Sequence, residues 1–268
     1  MSAIKPDADV VVERSGHILI ITLNRPDTRN AVNAAVTVAV GDAMATADDD
    51  PDIRCVVLTG TGSKSFCAGA DLKAIARGEA IAPAEGPRAR WGFAGYVSHH
   101  ISKPTIAAVN GAALGGGTEL VLASDLAIAS EDAIFGLPEV KRGIIAAAGG
   151  LFRLPQLIAP KRAYELIFTG DPITARRALE LDLVNEVVPV GDVLDRALDL
   201  AERISANAPL AVQASKRVAR GIVGGQIPAE AARWELSAKE RAAVHNSNDA
   251  KEGPRAFAEK RAPVWSGI

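Results

Sequence analysis

The run HILIITLN, from His17 to Asn24, alternates apolar and β-branched positions and predicts a strand, closed by the turn sequence RPDTRN. Residues 31 to 47 have helical composition and stop at DDDPD; CVVLTG, residues 55 to 60, is a short buried strand ending on glycine. The sequence TGSKSFCAGA reads as a loop, and Asp71 stands where it would cap a helix LKAIARG. Pro83, Gly86 and Pro87 predict a mobile connector over 81–90. PTIAAVNG is a strand, glycines 115 to 117 precede a helical run TELVLASD, and LAIAS and AIFG are further short strands. After Gly150 the pattern changes. LFRLPQLI, KRAYELIFTG and TARRALELD read as short helices and LVNEVVP as one strand. From Val193 to about Arg261 nearly everything is helical. The expectation is an α/β core over residues 1–190 and a helical region over 191–268.

Composition narrows the class. The 268 residues are 48% apolar with a net charge of −2, enough apolar surface to favour a folded chain over a disordered one. No uninterrupted apolar stretch reaches the length of a membrane span. A pI near 6 without a dense basic block leaves no electrostatic footprint for nucleic acid. The first residues carry acids where a targeting segment would be apolar or Arg-rich, so a cytoplasmic protein is expected. Two cysteines, Cys55 and Cys67, do not make a disulfide framework, and neither Cys nor His spacing suggests a metal site; His99 and His100, being adjacent, point apart. Because aromatics are only 4% and the chain holds 50 alanines and 24 glycines, much of the apolar share is small side chains.

Three segments carry candidate chemistry. In SFCAGADL the small residues Ala68, Gly69 and Ala70 would let a ligand oxygen approach unpaired amides at a helix start; an ordinary tight connection capped by Asp71 would look the same. In NGAALGGGTEL three glycines sit directly before a helix, costly in backbone entropy unless close approach or unusual dihedrals are required. Glu119 either complements that helix dipole or acts as an acid/base aimed at whatever the amides bind. The pattern G-x-x-x-G-G-G is not a dinucleotide fingerprint. In AIFGLPEVKRGIIAAAGG, Glu139 is flanked by apolar residues that would raise its pKa, or it is a solvated loop residue kept ionised by Lys141 and Arg142. Together the segments supply two sets of backbone donors and two carboxylates, the set needed to hold an oxyanion and move protons at a neighbouring carbon.

SFCAGADLK, PTIAAVNGAALGGGTEL, FGLPEVKRG, AAAGG and TGDPITARRALELDLVNEVVP resemble, in order and spacing, the signatures of the enoyl-CoA hydratase/isomerase (crotonase) superfamily. The similarity runs from about residue 10 to AFAEKRAPVW near the end. The resemblance implies a spiral of strand-strand-helix units with a helical C-terminal trimerisation region, a homotrimer or dimer of trimers, and an acyl-CoA thioester substrate with no metal or redox cofactor. It implies oxyanion donors at the amides of Ala70 and Gly116, and a coenzyme A side lined by Ala68 and by Ala70, Asp71, Leu72 and Lys73. Glu119 and Glu139 match the two hydratase glutamates, the first as base on water and the second as acid at the α-carbon. The implied activity is hydration of a trans-2-enoyl-CoA to a 3-hydroxyacyl-CoA. A Δ3,Δ2-enoyl-CoA isomerase and a non-catalytic acyl-CoA-binding protein of the same fold are the rival readings. The chain departs from the family pattern at GIIAAAGG, at the basic pair Lys141-Arg142, and over residues 75 to 100, where Trp91 and Phe93 are candidates to line the acyl pocket.

Overall fold

The computed structural model describes residues 8–268 apart from 82 and 84. Strand β1 (Val10–Ser15) pairs antiparallel with β2 (Ile18–Leu23), and α1 (Ala34–Asp49) follows, its start capped by the Asn33 side chain accepting from the Val36 N–H at 2.9 Å. Three strand pairs come next. They are β3 (Cys55–Gly60) with β4 (Ser65–Cys67), β5 (Thr105–Val109) with β6 (Ala112–Leu114), and β7 (Leu126–Ser130) with β8 (Ile134–Gly136). Helix α2 (Leu72–Ala76) follows the first pair and α3 (Gly116–Ala123) the second. The third pair leads through a 3-10 turn, Pro138–Arg142, into α4 (Gly150–Leu157) and α5 (Pro160–Thr169). Then come β9 (Ile173–Thr174), α6 (Ala175–Glu180), β10 (Glu186–Val188), α7 (Val193–Ser205), α8 (Pro209–Arg220), α9 (Ala231–His245) and α10 (Asn248–Ala258).

The first strand of each pair enters one sheet and the second enters another. The larger sheet runs β1-β2-β3-β5-β7-β10, parallel throughout except for β1-β2; the smaller runs β4-β6-β8-β9, parallel except for β8-β9. This is the spiral of strand-strand-helix units that the resemblance implied, and the C-terminal helical region is present. The two-residue period of the strands divides the core in two. Leu19, Ile21, Val56, Leu58 and Ala107 face the main core, joined there by Val36, Val40, Met44 and Ala47 at helical spacing on α1. Ile18, Ile20, Cys55, Val57, Ile106 and Ala108 face the other way, and Val193, Ala197 and Ala201 of α7 cover them.

Four strands escape the hydrophobic pattern, among them the two-residue β9, whose Thr174 falls in a stretch read as helix. β4 and β6 fall inside stretches read as loop or glycine cluster, because three residues are too few to show a period. β1 was not anticipated: only Val10 of its six residues is buried, so most of it lacks the apolar alternation of a half-buried strand. In the connector expected over 81–90, residues 82 and 84 lie outside the described residues, and so does most of the acidic N-terminal stretch; a 3-10 turn begins at Pro87. Cys55 and Cys67 are separate buried thiols. No helix among the described residues is long and apolar enough to cross a membrane.

The seam between α3 and the smaller sheet is the tightest contact near the glycine cluster. A Cβ on Gly117 would run into the Cys67 carbonyl oxygen, which is backbone and cannot swing aside. Gly117→Ala is therefore expected to lower stability by about 1–3 kcal/mol, the usual cost of overpacking. Urea unfolding of the variant beside the parent protein checks it.

Candidate active site

Neighbouring parallel strands end level with one another, and the segments that leave them are neighbours too. Cys67 of β4 pairs with Ala113 of β6, and Leu114 of β6 pairs with Gly136 of β8. The three segments singled out in the sequence therefore emerge side by side: Ala68–Ala70 after β4, Gly115–Glu119 after β6, and Leu137–Glu139 after β8. Ligand sites in parallel sheets form at such carboxyl ends.

Short polar contacts fix the register of the three segments. The Gly115 N–H donates to the Gly136 carbonyl at 2.9 Å, and the Thr118 hydroxyl, buried in the first turn of α3, accepts the Gly136 N–H at 3.0 Å and lies 2.7 Å from the Ala113 carbonyl. Gly115 holds φ near +56°, a left-handed conformation that suits glycine, and it lets α3 begin immediately after β6. A Cβ there would also stand 2.9 Å from the Glu139 Oε1, so the absent side chain leaves room for that carboxyl. On the other flank, Ala70 bridges Val32, with the Val32 N–H donating to the Gly69 carbonyl at 2.8 Å and the Asp71 N–H donating to the Val32 carbonyl at 2.9 Å. Gly69 lies against the Gly116 amide, its Cβ position 3.1 Å from that nitrogen. Neither the Ala70 nor the Gly116 N–H has an acceptor among the described residues. Two free amide donors thus stand at the junction of the β4 and β6 segments.

Glu119 is almost fully buried, at 3% exposure, and its Oε1 accepts the Gly150 N–H at 2.9 Å, the first amide of α4. Burial pushes its pKa up to about 7 in spite of that hydrogen bond, another from the Ala148 amide, and the charge of Arg153. Glu139 sits on the 3-10 turn with Oε2 buried and without a hydrogen-bond partner among the described residues. Burial, followed by the charge of Glu119, pushes it up to about 8. The basic pair beside it is engaged elsewhere: Lys141 bonds Asp171, and the Arg142 guanidinium lies 4.0 Å from the centre of the Phe257 ring. Glu139 is thus a half-buried residue with one carboxyl oxygen fully enclosed and the charge of Glu119 acting on it, not a solvated loop residue.

The remaining expected residues divide. Asp71 is buried and committed, accepting from the Lys73 and Ala74 N–H groups at the start of α2 and pairing with Arg25 at 3.0 Å. Ala68, Leu72 and Lys73 are exposed on the same rim. Phe93 lies directly over the start of α3, where a Cβ on Gly116 would strike its ring. Trp91 is elsewhere, packed on Gly41 of α1 and stacked on His99 with centroids 4.5 Å apart. Residue-by-residue reading assigned no part to Gly150 or Thr118, since the one acts through its backbone and the other through a hydroxyl that caps two strands. The repeated glycines of AAAGG were the available signal. Among the described residues, no three His, Cys, Asp or Glu side chains converge as a metal-binding group.

A family model described as enoyl-CoA hydratase/isomerase matches residues 13–267. Carnitinyl-CoA dehydratase of Salmonella typhi is 45% identical over 258 residues, covering 95% of this chain and 97% of that protein. A crystal structure of carnitinyl-CoA hydratase from Mycobacterium avium is 61% identical with a TM-score of 0.95, covering 97% of this chain and 99% of that one. An enoyl-CoA hydratase from Mycobacterium tuberculosis H37Rv is 47% identical with a TM-score of 0.75, over 98% of this chain and 100% of that one.

Two carboxyls with raised pKa values, Glu119 and Glu139, hold protons in the folded protein that the unfolded chain releases near pH 4.5. Folding therefore takes up protons between about pH 5 and 8, and these groups make the protein less stable as pH rises through that window. Glu139→Gln removes one of them. Its melting temperature is expected to match the parent near pH 5 and to exceed it by roughly 3 °C or more at pH 8.5; calorimetry at the two pH values reads the difference.

Proposed function

This chain belongs to the enoyl-CoA hydratase/isomerase family, and we propose that it catalyses the reversible addition of water across the 2,3 double bond of a trans-2-enoyl-CoA thioester. The observation that carries the reading is the pair of carboxyls, Glu119 buried and Glu139 with one buried oxygen, both pushed up in pKa and set beside the Ala70 and Gly116 amides that have no acceptor among the described residues. Hydration needs both halves of that arrangement. A water oxygen bonds to C3 as its proton passes to the Glu119 carboxylate; the electron pair of the double bond moves toward the thioester, whose oxygen gathers negative charge between the Ala70 and Gly116 N–H groups. Glu139 then delivers its proton to C2. Preorganised amides of this kind are worth about 3 to 4 kcal/mol each where oxyanion donors have been removed.

The protonation pattern suits the two roles. Glu139, pushed up to about 8, still holds a proton near neutral pH, while Glu119, pushed up to about 7 and held by two backbone amides, is the readier of the two to ionise. Water addition is redox-neutral, so the proposal calls for no redox cofactor. Coenzyme A enters as part of the substrate, with Ala68, Ala70, Leu72 and Lys73 on its side, Asp71 holding the start of α2 beneath them, and Phe93 on the acyl side.

For the acyl group we propose a substrate related to carnitinyl-CoA, a 3-hydroxyacyl thioester carrying a quaternary ammonium, because two relatives that cover nearly all of the chain, one of them 61% identical, are named for it. We also propose assembly as a homotrimer or dimer of trimers. Exposed apolar side chains on the C-terminal helices and beyond, Leu210, Val218, Leu236, Phe257 and Val264, support a subunit contact there; sedimentation equilibrium measures it.

Crotonyl-CoA is expected to lose its conjugated enoyl absorbance on addition of the enzyme, and carnitinyl-CoA to be dehydrated with a higher kcat/KM than 3-hydroxybutyryl-CoA. Glu119→Gln and Glu139→Gln are each expected to lower hydration by about 10²–10⁴-fold, the range of general acid–base catalysis. Near-normal turnover in either variant defeats the two-glutamate mechanism. Interconversion of 3-enoyl and 2-enoyl thioesters without hydration would make the protein an isomerase, and tight acyl-CoA binding without turnover would make it a binding protein.

A further inference from the structure

Arg153 and Glu230 form a buried ion pair outside the set of groups that would touch substrate. Arg153 lies one turn into α4, three residues after the Gly150 amide that holds Glu119, and is 3% exposed. Its side chain folds back beneath that turn: a Cβ on Gly149 would stand 3.3 Å from its Nη1. Its Nε and Nη2 donate to the two carboxylate oxygens of Glu230 at 3.0 and 2.7 Å, and its Nη1 donates to the Val97 carbonyl at 2.8 Å. Trp234 donates its indole N–H to Glu230 at 3.2 Å, and its ring lies 5.3 Å from the guanidinium carbon. The guanidinium is thus locked by geometry in one place, with no freedom to follow a substrate.

Its charge acts on one of the two glutamates. Arg153 favours the ionised form of Glu119, whereas the influences on Glu139 are burial, Glu119 itself and its own backbone. We propose that the Arg153–Glu230 pair is a positioning element that selects Glu119 over Glu139 as the carboxyl that ionises first. Arg153 draws the negative charge to Glu119, and Glu230 moderates how strongly it does so. The inference rests on the two-glutamate reading of the site.

The other charged groups near the pair do not change the sign. His100 faces both Arg153 and Glu230, and burial, then Arg153, pushes it down to about 4, so it is neutral through the working range. Lys216 and Arg220, which also face His100, share Asp125 at 2.7 and 3.7 Å. The two halves of the pair consequently predict opposite effects. Removing the negative charge of Glu230 leaves Arg153 unopposed and makes Glu119 more acidic; removing the positive charge of Arg153 makes it less acidic.

The test is the carbon-13 NMR titration of side-chain-labelled glutamates, with Glu119→Gln and Glu139→Gln spectra giving assignments, alongside the pH profile of kcat/KM for crotonyl-CoA. In Glu230→Gln the Glu119 titration and the acid limb are expected to move down by about half a pH unit. In Arg153→Gln both are expected to move up by a similar amount, and Arg153→Lys, which keeps the charge, to stay at the parent value. If Arg153→Gln does not fold, Glu230→Gln and Arg153→Lys decide the matter. An unmoved or upward titration in Glu230→Gln, or an Arg153→Lys titration displaced upward, overturns the proposal, since a purely structural pair would alter melting temperature without displacing the titration in opposite directions. If the parent protein hydrates no enoyl-CoA, the reaction assigned above falls, while the carboxyl titration still decides the role of the pair.

Discussion

The parallel register of the smaller sheet is the constraint on which the site depends. Residues Cys67, Ala113 and Phe135 lie in adjacent strands, so the chain leaves β4, β6 and β8 at one level. Separations of roughly fifty and twenty residues along the chain collapse to contacts of a few ångströms. Thr118 and Gly115 then tie the departing segments together through the Gly136 backbone, which carries the position of α3 directly into the turn bearing Glu139. A slip of one residue in β8 would turn its alternating side chains to the opposite faces and carry Glu139 with it.

Placing two carboxyls in the resulting apolar enclosure works against folding, because burial disfavours the charge of each and each disfavours the charge of the other. The structure offsets this unequally. Glu119 receives the first amide of α4, a second amide from Ala148 and the field of Arg153; Glu139 keeps one buried oxygen without a partner among the described residues. On the proposed mechanism, this inequality is what would give two chemically identical side chains different tasks near neutral pH. Stability and chemistry draw on the same groups here, so the pH range in which one of the pair ionises is also the range in which the fold loses some of its support.

Much of the larger sheet was legible in the sequence because β2, β3, β5 and β7 are five or six residues long and alternate between two buried faces, as Cys55 and Val57 against Val56 and Leu58 illustrate. In the smaller sheet only β8 was legible, as the strand AIFG; β4 and β6, with three residues each, and β9, with two, are held by neighbours distant in sequence. The candidate carboxyls were visible as Glu119 after a glycine run and Glu139 after a proline, yet each residue read on its own admitted a bland alternative. It was the ordered set of motifs that singled them out. Phe93 and Trp91 were equal candidates by composition, and only packing sets Phe93 over the start of α3 and sends Trp91 to Gly41 and His99.

Residue identity and short-range periodicity thus determined, without coordinates, an α/β core, a helical C-terminal region, and three segments able to present amides and carboxyls; the strand-strand-helix units were implied by the family resemblance alone. The first three are local properties, fixed by side-chain shape, backbone preference and the two periods of regular structure. Tertiary structure alone decided that the segments meet, that Asp71 is committed to a cap and an ion pair, that Lys141 and Arg142 turn away from Glu139, and that Arg153 stands under the turn that holds Glu119. Burial and charge coupling depend on neighbours brought from elsewhere in the chain, and a pKa is a property of that surrounding rather than of the residue that carries it.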